Sequence, residues 1–347
     1  ELVRAFAQAD LFGVYIPERY GGMGYGVFEL CLVIEELSRI CGGIALTLAA
    51  SALGTFPILL FGNEQQKQKY LVPLAKGEKL AAFGLTESEA GSDASSIRTS
   101  ARKDGDFYVI NGTKQWITNG GEAEIYSIIA MTDSSRGARG ATAFIVEKGT
   151  PGFTFGEKEK KLGIRASATR ELIFTDCRIP KENIIGKEGM GFLVAMKTFD
   201  VSRPGVAAQA VGIAQGAFES ALEYAHTRKQ FGCPISSFQA VQHMLADMAI
   251  QIEASRALTY AAAKMIDAGA KDSSKESAMA KVFASDVAMK VTVDAVQIFG
   301  GYGYMREYPV EKMMRDAKIT QIYEGTNQIQ RNVIALGLIK NLARRTH

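Results

Sequence analysis

The chain has 347 residues, of which 47% are hydrophobic and 22% charged, and its formal net charge is only +3. This length suits two or three packed layers, and the composition is that of a globular protein rather than a disordered one. The small charge, with its signs interspersed, gives no electrostatic footprint for nucleic acid, so no nucleic-acid partner is expected. The four cysteines show no paired spacing, which excludes a disulfide scaffold and favours a reducing intracellular setting.

The first 80 residues are helical in pattern, because apolar positions recur at helical spacing across 30–37. The pattern is already helical at residues 2–12, so we expect a further N-terminal piece before Glu1. The most apolar stretch, 44–62, is interrupted by Gly54 and Pro57, so it predicts a buried helix rather than a membrane span. No association with a membrane is therefore expected.

Between about 81 and 180 the apolar period shifts to two, which predicts strands. Residues 107–110 and 114–117 flank Asn111-Gly112, a dipeptide suited to a type I′ turn, and this pattern predicts a β-hairpin. Further strands are predicted at 125–131, 143–146 and 172–174.

After residues 189–191 the helical period returns, with a helix start at 199–204. Further helices are predicted over 277–298 and from near Gly325. Helices, strands and helices in separate blocks indicate an α+β fold rather than a doubly wound sheet. We therefore expect an N-terminal helical domain at 1–80, a β-barrel-like middle domain at 81–185 and a C-terminal four-helix bundle at 186–347.

Several common chemistries lack their motifs. The three histidines, His226, His243 and His347, leave a Ser-His-Asp triad open, but no Gly-x-Ser-x-Gly elbow accompanies them. No His-Glu-x-x-His, Cys-x-x-Cys or EF-hand spacing is present, so no metal site is expected. The glycines at 21–26 lack the preceding strand of a dinucleotide fold.

Three segments carry a resemblance to a known family. They are FGLTESEAGSD at 83–93, QIFGGYGY at 297–304, and RDAKI at 315–319 leading into IYEGTNQIQ at 322–330. In this order, and within this helix–sheet–helix frame, they resemble the acyl-CoA dehydrogenases over essentially the whole chain. The likeness also implies that roughly thirty residues precede Glu1, which keeps the first domain at an ordinary size.

The resemblance implies FAD as the cofactor. Phe83, Leu85 and Thr86 would line the pyrimidine side of FAD, while Gly91 and Ser92 would lie near the pyrophosphate and the CoA arm. Glycine suits such a position because it allows close backbone approach. Ser88 stands where a proline is common in the family, which leaves this loop less rigid without touching the chemistry.

Other parts of the chain are implied to contact the same cofactor. Trp116, the only tryptophan, would cover the flavin ring, with Ile117 and Thr118 following on the same strand. Thr326 would meet the flavin, and Gln328 belongs to the same set. The adenosine-phosphate end of FAD in a neighbouring subunit would contact Arg228, Phe231 and Gln239, with Gln297, Gly300 and Gly301 approaching across the dimer interface. Arginine suits phosphate because its planar fork donates two parallel hydrogen bonds.

The expected reaction needs a base. A carboxylate must remove the α-proton of a thioester while donors stabilise the developing enolate and the flavin accepts the β-hydride. By resemblance, Glu324 is this base, and its backbone N–H polarises the thioester together with a ribityl hydroxyl of FAD. A minority branch places its base on the preceding helix, where this chain has Ser202, which cannot act as one. The substrate contacts implied by resemblance are Ser92, Asp200, Arg203, Tyr323 and Gly325.

Residues 45–61 resemble the helix that closes the acyl pocket in this family, and the resemblance implies that the length of the acyl chain is sensed there. This segment has no arginine for a distal carboxylate, which disfavours a dicarboxylyl substrate, and it has no acidic residue for a second base. Thr55, Phe56 and Leu59 predict a closed apolar end and a short or medium acyl group, with branched and alicyclic groups left open.

The resemblance also implies partners and a compartment. Electrons would leave to electron-transfer flavoprotein, and the enzyme would be a homotetramer, a dimer of dimers, in a bacterial cytoplasm or a mitochondrial matrix. An enoyl-CoA reductase or an acyl-CoA oxidase on the same fold stays an alternative. A non-catalytic scaffold could lose its base, so the retention of Glu324, Thr86 and Arg228 argues against it, and a plain lipid- or CoA-binding module would be colourless.

Overall fold

A computed structural model describes residues 1–270 and 272–343, and His347 lies outside these ranges. By its internal contacts the chain divides into two units. The first unit comprises Glu1–Gly26, Thr47–Lys160 and Ser167–Ser202. The second comprises Val27–Leu46, Lys161–Ala166 and the chain from Arg203 onward. The domain boundaries predicted from the sequence stay a prediction.

Three helices precede the sheet: α1 (Leu2–Gln8), α2 (Val27–Phe61) and α3 (Glu64–Ala75). The start of α3 is fixed by a capping box, in which Asn63 and Gln66 exchange hydrogen bonds between side chain and backbone at 2.9 and 3.1 Å. These bonds satisfy two N–H groups that a helix start otherwise leaves without partners.

Helix α2 leaves helical geometry at Cys41, where φ is −158° and ψ is 106°. By length and composition alone it could cross a membrane, since an 18-residue window has a mean hydropathy of 2.0. A core helix meets the same criteria, and 61% of that window is buried in protein. This helix is therefore weak evidence for a membrane span.

The first unit contains one eight-stranded sheet. Its strands are β1 (Ala81–Gly84), β2 (Ser100–Asp104), β3 (Phe107–Thr118), β4 (Ile125–Met131), β5 (Ala141–Glu147), β6 (Phe153–Phe155), β7 (Thr169–Pro180) and β8 (Ile184–Ile185). The order is β6-β7-β3-β2-β4-β5-β8, and β1 pairs with β4 in parallel. Every residue of β1, and six of the seven in β4 and in β5, are buried, so this part of the sheet forms the core of the unit.

The hairpin predicted at Asn111-Gly112 is wrong. Strand β3 runs unbroken through this dipeptide, and its register against β7 shifts between Ile110 and Gly112, as at a β-bulge. Gly112 has φ 140°, and a Cβ there would lie 2.7 Å from the Cα of Thr99. The conformational freedom that the sequence suggested for a turn is used for a bulge, and the hairpin lies between β2 and β3 at Gly105, where φ is 61°.

Five helices follow the sheet: α4 (Gly191–Thr227), α5 (Gln239–Asp267), α6 (Ser274–Phe299), α7 (Pro309–Ala317) and α8 (Asn327–Ala343). All of them belong to the second unit except the part of α4 before Arg203. Two short strands, β9 (Lys229–Gln230) and β10 (Cys233–Pro234), lie between α4 and α5. The helix start predicted at 199–204 is wrong, because α4 begins at Gly191 and contains Pro204 in its interior.

Small residues allow the helices of this unit to approach closely. Its core is rich in alanine along α4 and α6. At Gly212 and Gly216 of α4, an added Cβ would lie 2.2 and 2.1 Å from the carbonyl oxygens of Glu35 and Arg39, respectively. Helix α6 packs against α5, α7 and α8, and it therefore supports the segment that precedes α8.

Candidate active site

The loop after β1 in the first unit carries the residues expected at the flavin pyrimidine. Phe83 and Leu85 are buried and Thr86 is half-buried, whereas Gly91 and Ser92 are exposed. Lys114 of β3 holds the loop from within the core, because its Nζ donates to the carbonyl of Leu85 at 3.0 Å and to Oε1 of Glu87 at 2.7 Å. These bonds fix the residues on both sides of Thr86.

Lys114 and Glu87 form a buried ion pair, with side chains 0% and 10% exposed. Burial lowers the pKa of Lys114 to about 8, although Glu87 opposes this. Burial by itself would raise the pKa of Glu87, but Lys114 and the N–H groups of Arg98 and Thr99 hold it below its usual value. Both groups are therefore charged near neutral pH, and the pair is a structural clamp on the loop.

Trp116 stands out of the strand that carries it. Its φ is 57°, the register of β3 against β7 shifts between Lys114 and Ile117, and the side chain is 57% exposed. The neighbouring Gln115 donates its N–H to the carbonyl of Thr86 at 2.8 Å. The structure therefore brings together the two groups of first-unit residues that the sequence assigned to the flavin, namely 83–86 and 116–118.

In the second unit, Glu324 lies in a turn with two consecutive residues of positive φ. Glu324 has φ 50° and Gly325 has φ 93°. The left-handed region is costly for a residue with a Cβ, so surrounding contacts must hold this conformation. Two donors reach the Glu324 carbonyl: Arg203 Nε at 3.4 Å and Gln330 Nε2 at 3.0 Å.

A buried lysine that the sequence did not suggest as a site residue also forms hydrogen bonds to this turn. Lys281 of α6 is 0% exposed, and its Nζ donates to the carbonyl of Gly325 at 2.8 Å and to Oδ1 of Asn327 at 2.9 Å. Gln330 Nε2 also donates to the Gly325 carbonyl, at 3.0 Å. A lysine within an apolar helical pattern is ordinarily read as a surface residue, and only its four-residue spacing from Ser277 and Ser285 signals a polar stripe on the buried face.

The residues flanking Glu324 are also fixed. The hydroxyl of Tyr323 donates to Gln209, and burial raises the pKa of Tyr323 far above its usual range. Gln209 in turn donates to the carbonyl of Gly42 at 2.9 Å. On the other side, Thr326 caps α8 by accepting the N–H of Ile329 at 3.3 Å.

The two residues expected to contact CoA from α4 are both largely buried. Arg203 is 5% exposed and Asp200 is 7% exposed. Lys197 approaches Asp200 at 3.5 Å, and Ser202, the position of the alternative base, is buried as well. The contacts of Asp200 and Arg203 with substrate stay predictions.

A cavity of about 580 Å³ opens in the second unit. Arg228, Gly300 and Gly301 line it, and the Arg228 guanidinium lies 5.5 Å from the centre of the Tyr302 ring. Gln239 and Gln297 are exposed, and Phe231 is 94% exposed. Among the residues described, no cluster of three or more His, Cys, Asp or Glu side chains could hold a metal ion.

The residues expected at FAD have the properties that this cofactor needs. A Cβ at Gly91, Gly300 or Gly301 would meet no atom within 4 Å, so the backbone is open to a ligand at all three positions. Trp116 offers an exposed aromatic face, and Arg228 offers a guanidinium that suits phosphate. Each unit, taken by itself, therefore fits a part of FAD.

Family models for the acyl-CoA dehydrogenases match the chain almost from end to end. The N-terminal domain matches residues 1–78, the middle domain 82–177 and the C-terminal domain 189–339. The fold and the site thus define a flavin-dependent oxidoreductase of the α+β class, and the chain belongs to the acyl-CoA dehydrogenase family. The resemblance drawn from the three sequence segments and the α+β architecture are confirmed.

Individual relatives are similar over nearly the whole chain. The short-chain specific acyl-CoA dehydrogenase of Megasphaera elsdenii is 53% identical over 98% of this chain and 90% of its own length. Among solved structures, butyryl-CoA dehydrogenase of M. elsdenii has 52% identity and a TM-score of 0.95, with 97% and 89% of the two chains covered. A chain of the electron transferring flavoprotein of Acidaminococcus fermentans has 55% identity and a TM-score of 0.95, covering 97% and 88%. The protein is an FAD-dependent acyl-CoA dehydrogenase.

Proposed function

We propose that this acyl-CoA dehydrogenase oxidises a short-chain acyl-CoA, with Glu324 as the acceptor of the α-proton. The observation that carries this proposal is the Glu324 turn, in which a carboxylate-bearing residue is held at φ 50° by buried donors from three side chains. A backbone so constrained fixes the point from which the carboxylate side chain extends, and general base catalysis depends on such positioning.

The chain's own groups divide the remaining work. The N–H of Glu324 would polarise the thioester carbonyl, and Gly325 would allow the backbone to approach the substrate. The residues that would contact the flavin half of FAD are Phe83, Leu85, Thr86, Trp116, Ile117, Thr118, Thr326 and Gln328. Gly91 and Ser92 would lie near the pyrophosphate and the CoA arm. The adenosine-phosphate half would contact Arg228, Phe231, Gln239, Gln297, Gly300 and Gly301. When bound, FAD supplies the acceptor for the β-hydride.

The acyl group is proposed to be short. Thr55 is fully buried and its hydroxyl donates to the carbonyl of Ser51 at 2.7 Å, so the hydroxyl serves the helix rather than a polar substrate. Phe56 packs against Tyr15 with ring centroids 5.3 Å apart, which makes this region apolar and filled. The relatives named for short-chain substrates and for butyryl-CoA support the same length.

A homotetramer and electron-transfer flavoprotein complete the proposal. Large apolar side chains of the second unit are exposed, including Ile250 at 66%, Tyr304 at 80% and Leu336 at 66%, and such surfaces mark protein interfaces. A chain similar to this one lies in a solved structure described as the electron transferring flavoprotein of A. fermentans, which supports electron-transfer flavoprotein as the acceptor. A bacterial cytoplasm or a mitochondrial matrix stays our proposal for the compartment.

Anaerobic titration with acyl-CoAs of increasing length tests this function. We expect the flavin absorbance to bleach with a short acyl-CoA, and we expect Glu324→Gln to slow bleaching by about 10²–10⁴-fold while FAD stays bound. Glu223→Gln, which removes an exposed carboxylate from α4, is the matched control and should behave as wild type. Unchanged bleaching in Glu324→Gln would show that another group is the base.

A further inference from the structure

A buried lysine forms hydrogen bonds to the turn that carries the proposed base. Lys281 is fully buried on α6, and both of its hydrogen-bonded oxygens belong to the Glu324 turn or the first residue of α8: the carbonyl of Gly325 and the side chain of Asn327. Burial of an ammonium group is costly unless every donor and the charge are compensated. The acceptors that compensate this lysine are those of the Glu324 turn and of the start of α8.

The bonds of Lys281 act on the turn directly after Glu324. Gly325 has φ 93°, and its carbonyl accepts from both Lys281 and Gln330. Asn327 is tied in turn to Ser285, at 2.8 Å, and to Asp286, at 2.8 Å. Lys281 thus links α6 to Gly325 and Asn327, which follow Glu324 in the chain.

Resting on the proposed function, we propose that Lys281 is a positioning residue for Glu324: it fixes the left-handed backbone that carries the base and places a positive charge near its carboxylate. The charge is a second effect, distinct from the hydrogen bonds, because a nearby cation favours the ionised form of a carboxyl group. An uncharged donor could supply the first effect only.

The charged groups that act on Lys281 come from three parts of the unit. Glu324 of the turn and Asp286 of α6 favour the protonated amine, and Arg203 of α4 disfavours it. Burial is the largest influence and lowers the pKa of Lys281 to about 7. Asp286 is itself paired with Arg331 at 2.7 Å.

Two variants separate the effects. Lys281→Met removes both the donors and the charge, whereas Lys281→Gln keeps an N–H donor without the charge. Lys290→Met is the matched control, because it removes a lysine from an exposed position of the same helix. The FAD content and the thermal midpoint of each variant, measured with excess FAD, establish whether it is folded.

The assay follows the base without hydride transfer. Acetyl-CoA has α-hydrogens but no β-carbon, so its deuterium exchange in D₂O, followed by NMR and corrected with Glu324→Gln, reports proton removal alone. We expect exchange to slow by about 10- to 100-fold in Lys281→Met, as for misplacement of a catalytic group, and less in Lys281→Gln. In both variants the pKa of the acidic limb of the exchange rate should rise, while Lys290→Met should match wild type.

The possible failures are distinguishable. If folded, FAD-loaded Lys281→Met exchanges acetyl-CoA at the wild-type rate with an unmoved acidic limb, the inference is overturned and the proposed base stands. A slower rate without any shift of the acidic limb in either variant would overturn the electrostatic half. If wild type and Glu324→Gln exchange equally, the proposed function itself fails. Should Lys281→Met not fold, the limb shift in Lys281→Gln decides the matter.

Discussion

Removing Lys114 should loosen the flavin loop and destabilise the first unit more than its single side chain suggests. The substitution Lys114→Met leaves the carboxylate of Glu87 buried without its counterion and the carbonyl of Leu85 without its donor. Breaking a buried ion pair on one side costs about 3–5 kcal/mol. Since each kcal/mol lowers the midpoint of a domain this size by about 2–4 °C, we expect a loss of about 6–20 °C.

The assay is a thermal melt with saturating FAD, together with the FAD retained after gel filtration. The exposed Lys103 on the neighbouring strand provides the control, since Lys103→Met should change stability by less than about 0.5 kcal/mol. The double variant Lys114→Met/Glu87→Gln should be less destabilised than the sum of the single variants, because it removes the unpaired charge. This prediction is refuted if the free-energy losses of the two single variants add up to that of the double variant. It is also refuted if the Lys114→Met midpoint lies within about 1–2 °C of wild type, the error of such a melt.

The same pair predicts how this difference depends on pH. In the wild type, Glu87 has a folded pKa below the usual value of 4.5, so its contribution is present above that value and is lost as pH falls through the folded pKa. In Lys114→Met the pKa of Glu87 rises, because burial is no longer opposed by the ammonium. The folded variant then binds a proton at higher pH than the wild type. The gap between their midpoints should narrow as pH falls from about 7 to about 5, and a gap that widens would contradict the assignment.

Two further substitutions test the site. Gly325→Ala places a Cβ at a positive φ and 2.4 Å from Gln330 Nε2, so it should displace Gln330 from the Glu324 carbonyl. We expect kcat, measured by steady-state reduction, to fall by about tenfold or more. An unchanged kcat would show that the turn tolerates this displacement. Arg228→Met removes the guanidinium from the cavity and should weaken FAD binding by about tenfold or more, as expected for the loss of a charge-assisted hydrogen bond. Fluorescence titration of the apoprotein with FAD measures this affinity. An affinity equal to that of the wild type would show that Arg228 does not contact the phosphates of FAD.

Elements with a long apolar repeat were predictable from the sequence, whereas local exceptions to regular structure were not. The helix expected over 277–298 is observed at Ser274–Phe299, because its apolar face repeats over many turns and small boundary errors do not matter. The Asn-Gly dipeptide failed because the positive φ that it tolerates serves a bulge as well as a turn, and only the pairing of β3 with both neighbours decides between them. The prediction of a helix start near Pro204 was wrong for a similar reason, since tertiary packing keeps α4 helical through this proline.

The sequence did not predict the two lysines that are buried among the described residues, Lys114 and Lys281, and these two share a physical role. Each lies in the core of its own unit and donates to a main-chain carbonyl in an irregular segment, Leu85 for Lys114 and Gly325 for Lys281. Irregular backbone lacks the ladder partners of helices and strands, yet its buried carbonyls still need donors. An ammonium on a flexible stem supplies three donors in adjustable directions, whereas the planar fork of arginine does not. The shape of the functional loops therefore accounts for lysine at these positions, and sequence periodicity does not encode that shape.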